Sequence, residues 1–248
     1  GLGLIASSMF WGMKRGGLAG SVSGYARSAE TRDIAREIED RWNLPVFLCN
    51  DASAACGAEL VFGDQGTPHD FLYFFVGFFA GGGLVLDGTL YTGRSGNAAA
   101  LGSMPVCAAD GGPRQLVNMA SLAALETALV AHGEDGAVIW DRAEGWNLPD
   151  EIVTDWVENA ANGLAWASLS SVCLIDVECV VIDGWMPQEI RGALVRRTIQ
   201  RIADISLAGV DSPDVREGTI GSDARSLGAA SLPLSRRFLV DRTAFLKG

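Results

Sequence analysis

Two segments of the chain carry residues whose type and spacing could do chemistry. The first is Asn50-Asp51, which falls between "LPVFLC", readable as a strand, and "ASAACGAELVFG", readable as a helix. Strand ends of this kind line the ligand crevice in open α/β sheets. A carboxylate there could accept a proton from a hydroxyl group, and the helix N-terminus would favour its charged form. The same position suits a helix cap, a common duty for Asp, and the local sequence leaves both roles open. The second segment is "VGFFAGGGLVLDG", residues 76–88, readable as a strand, a glycine-rich turn and a strand. Backbone N–H groups in such a turn can cradle a phosphate, because glycine permits close approach. The alternative is a plain hairpin whose glycines satisfy a positive φ.

The elements that would position these residues follow from periodicity. "ETRDIAREIEDRWN" spaces Ile34, Ile38 and Trp42 along one helical face. With "GLGLIASS" and "LPVFLCND" as strands, the first part of the chain reads β-α-β-α, the order of a layered α/β domain. A new unit starts at "FLYFFVG" and includes the glycine turn and "GTLYTG". Residues 97–112 read as loop, and helices are expected over about 114–131 and 150–172. "VECVVIDG" is a buried strand, "PQEIRGALVRRTIQRIA" a helix with Pro187 in its first turn, and "VREGTIG" a last strand. "DARSLGAASLPLSRRFLV" reads as a closing helix bent at Pro233.

Composition excludes several classes of function. A net charge of -11 with only two lysines, Lys14 and Lys247, provides no basic patch to displace counterions from DNA. The longest apolar run, between Asp70 and Asp87, is interrupted by three glycines and falls short of a membrane span. The five cysteines are odd in number, lack C-x-x-C spacing and lie mostly among apolar residues, which points to free thiols in a cytoplasmic protein. With His69 and His132 as the only histidines, an all-protein zinc site is not expected. "FLYFFVGFF" holds more bulky apolar residues than one face of a strand requires, so both faces should be covered. A partner subunit could supply part of that cover, and a homodimer is expected.

Taken together and in order, "LPVFLCNDASAACGAELVFG", "FLYFFVGFFAGGGLVLDGTLYTGRSGNAAALGSMPV", "VECVVIDG" and "GSDARSLGAASLPL" resemble the ROK family of bacterial sugar repressors and sugar kinases. The resemblance implies an actin-like ATPase (ribonuclease H-like) two-domain α/β fold with sugar and nucleotide between the domains. It implies that Asn50 holds the sugar, that Asp51 is the general base in an active kinase, and that Gly77, Gly81, Gly82 and Gly83 surround the nucleotide phosphates. The departures from the family pattern are pointed. Phe78 stands where the phosphate turn has threonine. Ala99-Ala100-Leu101-Gly102-Ser103 replaces a run whose Glu and His bind sugar. Only Cys107 remains of a zinc motif, and Val117 stands at a further sugar-binding Glu. Asp183-Gly184-Trp185 replaces a glycine triplet on the nucleotide side, and no D-x-G-G-T phosphate hairpin is found.

These departures make an ordinary sugar-kinase mechanism doubtful, since each unpaired sugar hydroxyl costs on the order of 1–3 kcal/mol. The expectation is therefore a sugar-responsive transcriptional regulator whose kinase site has degenerated. It would bind a small sugar, reach DNA only through a segment upstream of this chain, and need no cofactor and no metal. The alternatives are an ATP-dependent kinase of a hexose or N-acetylated hexosamine, using Mg-ATP, and a non-catalytic assembly protein. The expected units are residues 1–68 as the remainder of a first α/β domain, 69–222 as a second, and 223–248 as a helix returning to the first.

Overall fold

The computed structural model describes residues 22–23, 29–43, 46–64, 66, 68–205 and 208–238. Its centre is a five-stranded sheet ordered β5-β4-β3-β8-β9. The strands are β3 (Phe71–Val76), β4 (Ala80–Leu86), β5 (Thr89–Leu90), β8 (Cys179–Gly184) and β9 (Asp214–Glu217). β4 runs antiparallel to β3 and to β5, while β8 is parallel to β3 and β9 to β8. Two smaller pairings account for the other strands among the described residues. β1 (Val22–Ser23) lies parallel to β2 (Val46–Phe47), and β6 (Pro105–Cys107) pairs antiparallel with β7 (Pro113–Gln115).

β3 is the hub of the sheet because it is apolar at every position and central in the order. All six of its residues are buried. Leu72, Phe74 and Val76 face a core built by α3 (Leu116–Ala120), α4 (Leu122–Ala131), α6 (Asp150–Ile175) and α7 (Gln188–Asp204). Phe71, Tyr73 and Phe75 face the other way, against α2 (Asp51–Phe62) and Ala224 of α8 (Ala224–Phe238). Both faces of the strand are thus covered, as its bulky sequence predicts, and the chain's own helices do the covering. Of the run that suggested a partner subunit, only Phe78 and Phe79 beyond the strand stay exposed. Each large side chain buried this way contributes about 1.5–3 kcal/mol.

The small residues of α2 let three elements meet at close range. A Cβ on Gly81 would lie 2.9 Å from Ala52 Cβ, and one on Gly83 would lie 2.4 Å from Cys56 Cβ. From the opposite side, a Cβ on Gly228 of α8 would come within 1.7 Å of the Ala54 carbonyl oxygen. Helix α2 is therefore clasped between β4 and α8, and only small residues fit. This clasp sets the position of Asn50 and Asp51 at its N-terminus. The helix α1 (Ala29–Trp42) keeps Ile34, Ala35, Ile38 and Trp42 on its more covered face. Its Glu39 accepts a hydrogen bond from the Val46 amide at 2.9 Å, tying it to β2.

Some expectations need correction. The loop read over 97–112 contains a 3-10 turn, Leu101–Ser103, and strand β6, whose partner β7 follows directly. The helix read over 114–131 is two helices, because Ser121 adopts an extended φ/ψ of -75° and 149° between them. Helix α6 runs to Ile175 and stops at Asp176, which takes a left-handed φ of 56°. Residues 215–221 are not one strand: β9 ends at Glu217, and Gly221–Asp223 form a 3-10 turn. The short helix α5 (Val138–Asp141) had no clear periodic signal. Only Cys56 and Cys179 are buried among the cysteines, while Cys173 is exposed. The strand expected over residues 1–8 lies outside the described residues. Among the described residues, no helix is long and apolar enough to cross a membrane.

The clasp around α2 predicts opposite effects for two glycine-to-alanine changes. Gly57→Ala places a Cβ no closer than 3.8 Å to a neighbour, at Leu90 Cδ2. It should stabilise the helix interior by about 0.5–1 kcal/mol. Gly228→Ala meets backbone and should cost at least about 1–3 kcal/mol. Urea unfolding midpoints of the two variants, measured against the parent, check both signs.

Candidate functional site

The N-terminus of α2 assigns different jobs to its two polar residues. Asn50 is the cap: its Oδ1 accepts from the amides of Ala52 at 3.0 Å and Ser53 at 3.2 Å. Its backbone carbonyl takes the first helical bond from Ala54 at 2.8 Å. Asp51 is the first helical residue, and its side chain is 68% exposed. The capping role considered for Asp51 therefore belongs to Asn50, which leaves the Asp51 carboxylate facing solvent. Its Oδ1 accepts from the Ala52 amide at 2.9 Å, and its Oδ2 lies 3.5 Å from Nη1 of Arg225. That guanidinium in turn sits 5.2 Å from the centre of the Phe75 ring, within the range of a cation–π contact. Arg225, from the first turn of α8, is a site residue that sequence reasoning missed. Its only signal was an arginine inside the "GSDARSLGAA" run.

The turn after β3 consists of Gly77, Phe78 and Phe79, and Gly81, Gly82 and Gly83 are not part of it. Those three belong to β4, paired with Phe75, Phe74 and Tyr73. None has a positive φ. They are glycines because neighbours crowd them: Gly81 and Gly83 meet α2, and a Cβ on Gly82 would lie 2.3 Å from Leu101 Cδ1. The turn's main chain is bonded inward. The amides of Leu122 and Ala123 at the start of α4 donate to the carbonyls of Gly77 at 2.9 Å and Phe78 at 3.2 Å. The Ala80 amide donates to Ser121 Oγ at 2.7 Å, and the Trp185 amide to the Val76 carbonyl at 2.9 Å. The amides of Ala80, Leu122, Ala123 and Trp185 around the turn are thus bonded within the protein. Outward, the turn shows rings: Phe78 and Phe79 are 48% and 66% exposed, with Trp140 next to Phe78 at 5.5 Å. Neither Phe78 nor Phe79 offers a side-chain hydrogen-bond donor to a phosphate.

On the nucleotide side of the resemblance, Asp183 closes the end of β8 from within. Its carboxylate is fully buried. It accepts from Tyr73 Oη at 3.1 Å, Arg191 Nη1 at 3.0 Å, and the amides of Gly184 and Gly221 at 2.9 Å each. Burial and the neighbouring Asp183 push the Tyr73 hydroxyl well above its ordinary pKa, so it stays a donor. A second carboxylate, Glu59 of α2, is 2% exposed. It accepts from the Thr219 amide and, at 2.9 Å, from the Thr219 hydroxyl. Together the two acids hold segment 218–221 against β8 and α2, and with it the start of α8 that carries Arg225. In the β6–β7 ribbon, Cys107 Sγ lies 3.5 Å from the Ala108 carbonyl oxygen, and Asp110 accepts from the Gly112 amide and pairs with Arg114. Among the described residues no group of three or more His, Cys, Asp or Glu is placed to hold a metal ion.

Burial raises the Glu59 pKa above its ordinary 4.5, outweighing the Thr219 hydrogen bonds. The folded state therefore holds a proton that the unfolded state releases, and stability is lost as pH rises from 4.5 through the folded-state pKa. Glu59→Gln cannot release that proton. Its stability relative to the parent should improve steadily as pH rises through this window, as thermal melts between pH 4 and 8 would register. A difference independent of pH would contradict this.

The family model for the ROK family matches residues 25–236. The bifunctional enzyme NanE/NanK of Brucella melitensis is 32% identical over 207 residues, covering 80% of this chain and 37% of that protein. The xylose repressor of Caldicellulosiruptor bescii is 31% identical over 129 residues, covering 50% of this chain and 32% of the repressor. The crystal structure of a ROK hexokinase from Thermus thermophilus superposes with a TM-score of 0.64 at 25% identity, covering 91% of this chain and 82% of that one. The chain thus spans well under half the length of these curated relatives, one a bifunctional enzyme and the other a repressor. Sheet order, helix placement and these matches agree on the actin-like ATPase fold, and the chain belongs to the ROK family.

Proposed function

We propose that this chain is the effector-sensing part of a sugar-responsive transcriptional regulator whose kinase site has degenerated. The observation that carries the reading is the turn after β3. Its carbonyls and neighbouring amides bond to each other, and Phe78 and Phe79 stand outward where a phosphate cradle needs donors. Asn50 and Asp51 are the sugar-binding pair in this reading, and Gly77 serves the turn rather than a nucleotide. The net charge of -11 argues that DNA contact belongs to a segment outside this chain. Likeness to a xylose repressor supports the reading. We retain the division into units 1–68, 69–222 and 223–248, a homodimer and a cytoplasmic location as parts of the proposal.

The second reading, a sugar kinase, has one observation in its favour. Because Asn50 carries the cap, Asp51 is free to act as general base, and likeness to NanE/NanK points the same way. Asp51→Asn separates the two readings in the full-length protein. Since the cap is elsewhere, the change should alter stability by well under about 1 kcal/mol. The regulator reading expects weakened binding of monosaccharide and no sugar-dependent ADP release by either protein. Turnover of about 1 s⁻¹ or more in the parent, falling by about 10²–10⁴-fold in Asp51→Asn, would establish the kinase instead. Calorimetric detection of micromolar Mg-ATP affinity would likewise overturn the regulator reading.

A further inference from the structure

The aromatic turn does more than obstruct a phosphate. Phe78 and Phe79 meet edge to face with ring centres 4.7 Å apart, and Trp140 lies against Phe78 at 5.5 Å. The cluster is held from behind. The Trp185 indole donates to the Ile139 carbonyl at 3.0 Å, fixing the residue before Trp140. The amides of Leu122 and Ala123 hold the carbonyls of Gly77 and Phe78. Phe78 and Phe79 thus present exposed rings at the carboxyl end of β3, backed by the half-buried Trp140.

That cluster lies near the sugar-binding pair, to which the buried Phe75 ring links it. The Phe75 ring lies 3.1 Å from the position of a Cβ on Gly77 and also faces the Arg225 guanidinium, which reaches Asp51. A Cβ on Gly81, two residues past Phe79, would touch Ala52, the neighbour of Asp51. A hydroxyl-binding group (Asn50, Asp51, Arg225) and an aromatic group are therefore neighbours in the fold. Ligand sites commonly combine a few polar groups with an aromatic lining. A pyranose offers that same pairing of hydroxyl edge and C–H face, but a single sugar held at Asn50 and Asp51 leaves the rings uncovered.

We propose that Phe78, Phe79 and Trp140 are the stacking platform for the second ring of a glycoside whose first sugar is held by Asn50 and Asp51. The chain would thus sense a two-ring neutral glycoside in preference to a monosaccharide. The shared chemistry is a flat, uncharged second ring, either a further sugar or an aryl group. The inference rests on the sugar-sensing reading and sharpens it by naming the ligand class.

Calorimetry on the full-length protein tests it with two matched series: D-xylose, xylobiose and 4-nitrophenyl β-D-xylopyranoside, and D-glucose, cellobiose and 4-nitrophenyl β-D-glucopyranoside. In at least one series the two-ring ligands should bind about tenfold or more tighter than the monosaccharide, which is about 1.4 kcal/mol. The disaccharide and aryl arms distinguish the two kinds of second ring. Phe79→Ala, at a side chain already mostly exposed, should keep the fold and the monosaccharide affinity while erasing the two-ring advantage. Phe78→Ala should do the same. Equal affinity for one-ring and two-ring ligands, or Phe variants that leave the advantage intact, would overturn the inference while the sugar-sensing reading stands. Adenosine binding that Phe79→Ala abolishes would also overturn it, because the rings would then serve a base. Binding of none of the saccharides would overturn both, and saccharide binding unaffected by Asp51→Asn would remove the sugar-binding pair from the site.

Discussion

The close approach of α2 to β4 on one side and α8 on the other is the constraint on which the rest of the site depends. It exists because Ala52, Ala54 and Cys56 on the helix meet Gly81, Gly83 and Gly228. No larger side chain fits at those contacts. Protein interiors are packed too densely to absorb an added carbon there without movement. The position of the helix fixes its N-terminus, and thereby the direction in which Asp51 points. It also brings the first turn of α8 close enough for Arg225 to pair with Asp51. The glycines that resemble a phosphate loop thus serve packing first, and whatever ligand the site binds is positioned by that packing.

A second layer of order comes from buried carboxylates. Asp183 and Glu59 lie on the same side of the sheet and hold consecutive stretches of one short segment. A buried carboxylate is costly unless hydrogen bonds satisfy it. Asp183 meets that condition with a phenol, a guanidinium and two backbone amides. Glu59 meets it with both polar groups of Thr219. The segment is consequently held by the protein's own charges and needs no bound ligand to order it.

The two ends of the candidate site differ in chemistry. At one end Asn50, Asp51 and Arg225 offer hydrogen-bonding groups at a helix N-terminus. At the other, Phe78, Phe79 and Trp140 offer rings. Between them the carbonyls of Gly77 and Phe78 and the amide of Ala80 are bonded internally. A site of this kind favours a ligand that is polar at one edge and apolar on a face. That is a different demand from the one made by a triphosphate.

The sequence by itself determined a good deal. The unbroken run in "FLYFFV" required a strand covered on both faces, and the small residues of "ASAACGA" allowed a helix in tight contact. The ordered motifs from Asn50 to Gly228 carried the family. Periodicity is local, so it placed β3, β8, α6 and α7 well. It failed where no period exists, at the β6–β7 ribbon and the short α5. It also joined α3 to α4, because the extended backbone at Ser121 leaves no mark in the apolar spacing. What only the tertiary structure decided was which residue does what. Whether Asn50 or Asp51 caps the helix depends on side-chain geometry that either residue could adopt. That Gly81, Gly82 and Gly83 lie in β4 rather than in the turn depends on register with β3. That Arg225 reaches Asp51, and Gly221 reaches Asp183, depends on contacts between residues far apart in the chain. A local pattern constrains the shape of a segment, whereas the chemistry of a site is set by which segments the packed core brings together.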